Sequence, residues 1–229
     1  MPRSSIQWRA TTSELTLSAT LAAVYIVSTF VPLTPFIGGP AYITAEIVML
    51  PLIAALLRPV LAGATITAGS LGMALLPRIS FYSLIGPLGL LVPIIATILG
   101  SAAFHYRMGL VAPWTYVLAG GFYYLLYSKG TVLWLAPYAI VLLSLPAVLK
   151  LTGTTRTGFI VFYTAMNEQV TLNILSISVL GLVGDIWSVI TPFMFSERAI
   201  ATLGGTVLIV ALKSRLGGRL ENSLKSLGR

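Results

Sequence analysis

From Leu84 to Phe104 the chain carries no charged side chain, and Thr97 and Ser101 are the only polar ones. The run shows neither the alternation of a half-buried strand nor the one-sided stripe of a surface helix. A bilayer core of roughly 30 Å takes about 20 such residues per helical span. Lipid cannot satisfy backbone N–H and C=O groups, so the choices are helices or a closed barrel, and unalternating runs exclude the barrel pattern. Seven more apolar segments lie at about 15–36, 42–57, 60–77, 111–127, 131–149, 158–183 and 199–213. Across 229 residues, 57% are hydrophobic and only 9% charged, against about a quarter charged in soluble domains. The expected fold is all-α: a polytopic transmembrane helical bundle of about eight apolar segments, with six spans as the alternative, forming a single integral membrane domain over 1–229 in the cell membrane.

The net charge of +8 is placed between segments and in the C-terminal stretch, which points to topology and anionic lipid head groups, not to nucleic acid. If the N-terminus is cytoplasmic and every segment crosses, eleven basic residues, among them Arg58, Arg107, Lys150 and Lys213, fall inside, and only Arg78, Lys129 and Arg198 fall outside. Both ends are then cytoplasmic. Between 111 and 149, Gly120, Gly121 and the Ser128-Lys129-Gly130 turn mark either two short helices or a hairpin that does not fully cross. The final segment, Ala199 to Lys213, is only about 22 Å long as a helix, so Trp187 to Phe195, with the helix-breaking Pro192, is expected at or within the outer interface.

Ala19 and Ala23 form an A-x-x-x-A pair on the first segment, and Ala64, Ala68 and Gly72 keep the same spacing on the third. Such ridges let helix backbones approach closely, either within the bundle or against another membrane subunit. Gly204 and Gly205 are read as internal packing.

An ionisable side chain at membrane depth costs about 2.5 to 3.5 kcal/mol on insertion scales and therefore faces a partner, a cavity or a ligand. Glu168 is the deepest. At about 100° per residue it shares a face with Thr164, Asn167, Thr171 and Ser178, while Gln169, Asn173 and Ser176 lie roughly opposite. A helix polar on two sides is expected to be central; Glu168 is either an interhelical lock or part of a ligand or ion site. Glu46 either caps its helix or joins such a site. Arg78, Tyr82, Lys129, Asp185, Trp187, Glu197 and Arg198 are expected on the outer side, some pairing with each other, for instance Glu197 or Asp185 with Arg78 or Lys129. His105 reads as interfacial.

The chain has no cysteine and a single histidine, so disulfides and thiolate metal sites are excluded. It also lacks H-E-x-x-H, a Walker lysine loop and G-x-S-x-G. No catalytic residue, metal or cofactor is assigned.

Ser18-Ala19-Thr20-Leu21-Ala22-Ala23-Val24-Tyr25 resembles the A-x-x-x-A first helix of the substrate-binding S components of energy-coupling-factor (ECF) vitamin transporters. Ala45-Glu46 through Leu57-Arg58-Pro59-Val60-Leu61-Ala62-Gly63 looks like their second and third helices, with Arg58 in place of the turn glycine. Pro192 to Lys213 is similar to the last helices of archaeal members. The resemblance implies that Ala19 and Ala23 meet a transmembrane coupling subunit, that ATPase subunits on separate chains supply energy, and that a small nutrient such as a vitamin or related heterocycle binds an outward-facing pocket. Aromatic residues Tyr42, Tyr82 and Trp187 with Glu46, Arg78, Asn167, Glu168 and Asn173 suit such a pocket. The alternatives are an autonomous ion-coupled transporter using Glu168 and Glu46, a lipid-acting enzyme and a non-catalytic membrane scaffold.

Overall fold

The computed structural model describes residues 10–35, 42–75 and 85–226; the side chains of Thr34, Pro35, Tyr42, Ala74 and 216–226 are not among those described. Arg78 and Tyr82 lie outside the described residues. Helix accounts for 84% of what is described. Among the described residues there are eight α-helices: α1 (Thr12–Ser28), α2 (Glu46–Leu56), α3 (Pro59–Ala74), α4 (Leu91–His105), α5 (Val111–Tyr127), α6 (Ala136–Val148), α7 (Gly153–Ser178) and α8 (Ile186–Ser226). Short 3-10 turns lead into α4, α5 and α6. The expectation of helices alone is corrected at one place. Pro32–Pro35 (β1) and Tyr42–Thr44 (β2) pair as an antiparallel ribbon between α1 and α2.

Local chemistry sets the boundaries. Thr11 caps α1 through a reciprocal box in which Glu14 returns a bond to the Thr11 N–H (3.0 Å). Pro59 opens α3, where its missing N–H leaves nothing unsatisfied. Gly181 (φ 65°) and Gly184 (φ 78°) take the left-handed conformations that turn the chain from α7 into α8.

Each apolar segment contains one helix, but the lengths differ from the expected spans. Among the described residues three stretches are long and apolar enough to cross a bilayer: Gly86–His105, Arg107–Tyr127 and Ile186–Arg215. Helix α2 has 11 residues, about 16 Å at the α-helical rise, because the chain before Ala45 is extended. Segment 111–149 resolves into two antiparallel helices, α5 and α6. Gly120 and Gly121 do not interrupt α5: Gly120 lets α5 meet α7, where a Cβ would lie 2.4 Å from Val170 Cγ1. The expected break at Pro192 is also corrected. Proline cannot donate to the Ser188 carbonyl, yet α8 runs through it without interruption.

Successive helices alternate between two ends. At the basic end, Arg58 pairs with Glu14 (3.2 Å) and the Leu57 carbonyl accepts from Ser101 Oγ (2.6 Å). At the ribbon end, Gly184 N donates to the Ser128 carbonyl (2.7 Å). Helix α7 is the axis. It packs against α2, α4, α5, α6 and α8, and it contributes to both main apolar clusters, one built on α5, α6 and α8 and the other on α1, α2, α3 and α4. At 26 residues it measures about 39 Å, but it is too polar to qualify as a lipid-facing span. Its neighbours cover those polar side chains.

The small-residue ridges divide. Gly205 packs internally, with a Cβ there meeting Pro51 Cγ at 2.8 Å. Ala19, Ala23, Ala64 and Ala68 are exposed instead. Helices α1 and α3 meet through Ser18 and Thr65 (Oγ to Oγ1, 2.6 Å) and through Tyr25 on Gly69.

Candidate functional site

Glu168 and Arg198 bring α7 and α8 together in the interior. Arg198 Nη1 donates to Glu168 Oε2 (2.6 Å) and to the Ala165 carbonyl (2.6 Å), and Arg198 Nη2 lies 3.8 Å from Glu197 Oε2. All three side chains are buried. Glu197 and Arg198, expected on the outer side, are buried against α7, and the expected pairing of Glu197 with Arg78 lies outside the described residues. Glu168 is thus hydrogen-bonded from α7 to α8.

One turn further along α7, towards the ribbon end, Asn173 holds an aromatic group in place. With its amide oxygen turned toward Trp134 and Tyr138, it accepts from Trp134 Nε1 (2.7 Å) and from the Tyr138 hydroxyl. Its nitrogen then lies 3.2 Å from the Gln169 carbonyl and 2.8 Å from the Gln169 side-chain amide. The Trp134 ring meets Trp187 edge to face at 4.8 Å, and Tyr124 meets Trp187 at 5.2 Å. Trp187 Nε1 donates to the Leu182 carbonyl (3.1 Å), fastening the α7–α8 connection over this group.

Between these features lies a cavity of about 40 Å³, room for a water or two. It is lined by Trp134, Trp187, Gln169, Asn173, Ser176 and Glu197, with Ile43 of β2, Leu172, Leu182, Ile190, Phe193 and Met194. Aromatic faces and polar groups therefore converge on one space.

Of the residues expected to form a pocket, Asn173 and Trp187 come together here. Glu168 lies deeper, bound to Arg198. Asn167 is fully buried on another side of α7, and neither of its amide atoms has a hydrogen-bond partner. Glu46 is the first residue of α2, in the first turn where the helix dipole favours a carboxylate, and it is buried in the α1–α3 half. The expected list omitted Trp134 and Gln169, although Gln169 shares the Asn173 face of α7. Among the described residues no group of three His, Cys, Asp or Glu side chains forms a metal-ligand cluster.

No family model matches the chain, and no curated protein or solved structure matches it.

Proposed function

We propose that this chain is a multi-pass cell-membrane protein with both ends cytoplasmic, acting as the substrate-capture subunit of an ECF-type uptake transporter for a small nutrient such as a vitamin or related heterocycle. The observation that carries the reading is the α7–α8 cavity, where Trp134 and Trp187 offer aromatic faces and Gln169, Ser176 and Glu197 offer polar contacts. That mixture suits a flat ligand with hydrogen-bonding edges.

The cavity is far smaller than the roughly 300 Å³ or more of a ligand pocket, so binding requires it to open. The connection from Val179 to Asp185 is the segment that lifts. It turns on Gly181 and Gly184 and is held down by the Trp187–Leu182 and Gly184–Ser128 hydrogen bonds. The polar side chains of α7 face the bundle interior, which suits a helix that crosses lipid only when surrounded by others.

The exposure of Ala19 and Ala23 supports a role for that ridge outside the bundle, against a transmembrane coupling subunit that works with separate ATPase subunits. The pairing of Glu168 with Arg198 favours capture over ion exchange at Glu168, because a carboxylate already neutralised at 2.6 Å is poorly placed to pick up and release an ion. Neither role includes a catalytic step.

Purification of the tagged protein from its native membrane in mild detergent, with mass spectrometry of the co-purifying chains, tests the reading. Recovery of a membrane coupling subunit together with ATPases is expected from wild type, with loss of both from Ala19→Leu/Ala23→Leu. Recovery of the protein alone, under conditions that keep other membrane complexes intact, contradicts it.

A further inference from the structure

A second set of buried polar atoms lies in the other half of the molecule and does not line the α7–α8 cavity. Tyr25 Oη on α1, Thr44 Oγ1 at the end of β2, Glu46 Oε2 at the start of α2 and Ser70 Oγ on α3 make no hydrogen bond of good geometry, Tyr25 facing Ser70 and Glu46 facing Thr44 without closing one. None of the four residues is more than 6% exposed. The Tyr25 ring rests on Gly69, where a Cβ would lie 2.8 Å from Tyr25 Cδ1, and this brings its hydroxyl toward the neighbouring Ser70. The Glu46 carboxylate faces Thr44 and lies within electrostatic reach of the Tyr25 hydroxyl.

Buried polar atoms are costly to leave without partners, and four of them from four elements are not an accident of one loop. Their chemistry is uniform: every unpartnered atom is oxygen, the donor type of hard cations. The charge is also defined. Glu46 is the only formal charge among the four and makes no ion pair among the described residues. Among the described residues the charged group that acts on it is Glu168 on α7, which is itself bound by Arg198 of α8 beside Glu197. A single carboxylate balances a single positive charge, whereas sites for divalent ions usually gather more anionic ligands.

We propose that Tyr25, Thr44, Glu46 and Ser70 form a binding site for one monovalent metal cation of sodium size. The bound ion ties α1, α2 and α3 to the end of β2. Ile43, the neighbour of Thr44, lines the α7–α8 cavity, so the ion also fixes one wall of that cavity. The site itself does not depend on the transport reading.

The test uses the full-length protein purified in detergent without small cations. Its melting temperature is followed as sodium, potassium or lithium chloride replaces choline chloride at constant ionic strength. A ligand that binds only the folded state raises the melting temperature saturably, and a rise of several degrees with sodium is expected for wild type. Glu46→Gln should abolish the rise. Tyr25→Phe and Ser70→Ala, each removing one neutral ligand, should move half-saturation to about tenfold higher sodium. If Glu46→Gln does not fold, those two variants decide. Equal melting in choline and sodium would overturn the proposal and assign the space to water. A sodium response unchanged in the variants would place the ion elsewhere and overturn it equally.

Discussion

Arg198 Nη1 and Glu168 Oε2 are 2.6 Å apart in the interior, where the pair helps to join the polar axis helix α7 to the long helix α8. Removing one partner of a buried pair leaves the other charge uncompensated. Glu168→Gln or Arg198→Met alone should destabilise the protein by about 3–5 kcal/mol. Glu168→Leu/Arg198→Met together should recover most of that loss. Thermal melts of the three variants followed by size-exclusion fluorescence check this; a double variant no better than the worse single one would mean that Glu197 and the Ala165 carbonyl dominate.

Depth along the helices explains why this pair was not legible. Glu168 lies ten residues before the end of α7 and Arg198 twelve residues after the start of α8, so the two meet at nearly the same level. Treating Pro192 as a helix breaker placed Arg198 in an outer connection and hid that correspondence. The central position of α7 was legible, since polar residues on two sides leave no face for lipid. The convergence of Trp187 on the Asn173 face was only half legible. Trp134 is contributed by a short turn before α6, and no periodicity in the sequence aims it at α7.

The ribbon and the short α2 were not legible for a different reason. Apart from Thr44 and Glu46, residues 42–57 are apolar, and such a run does not distinguish a helix from a strand followed by a helix.

Asn167 makes a separate prediction about stability. Its amide is fully buried with no hydrogen-bond partner, and Leu is close to Asn in shape. Asn167→Leu should therefore raise stability by about 1–3 kcal/mol. An equal or lower melting temperature would show that the amide is satisfied by a bound water.

Close packing of α4 on α7 depends on Gly100. A Cβ there would lie 2.3 Å from Thr164 Oγ1, inside any allowed contact. Gly100→Ala should lower stability by about 1–3 kcal/mol through overpacking. The double variant Gly100→Ala/Thr164→Ser should restore part of it, because the Thr164 methyl at 2.7 Å is the other clashing atom.

The exposed ridge on α1 predicts a separation of effects. Ala19→Leu and Ala23→Leu add side chain to open surface, so the stability of the isolated protein, followed by its thermal melt, should change by less than about 0.5 kcal/mol. A large loss of stability would place the ridge inside the bundle.

The central claim is that the α7–α8 cavity receives a small ring-bearing molecule, and the most direct measurement is mass spectrometry of small molecules extracted from protein purified from its native membrane. Wild type should release one compound near stoichiometric amount. Ser176→Leu, which fills the cavity and leaves Trp134, Trp187 and the Glu168–Arg198 pair unsubstituted, should release none. No retained compound from wild type, or equal retention by the variant, would contradict the claim.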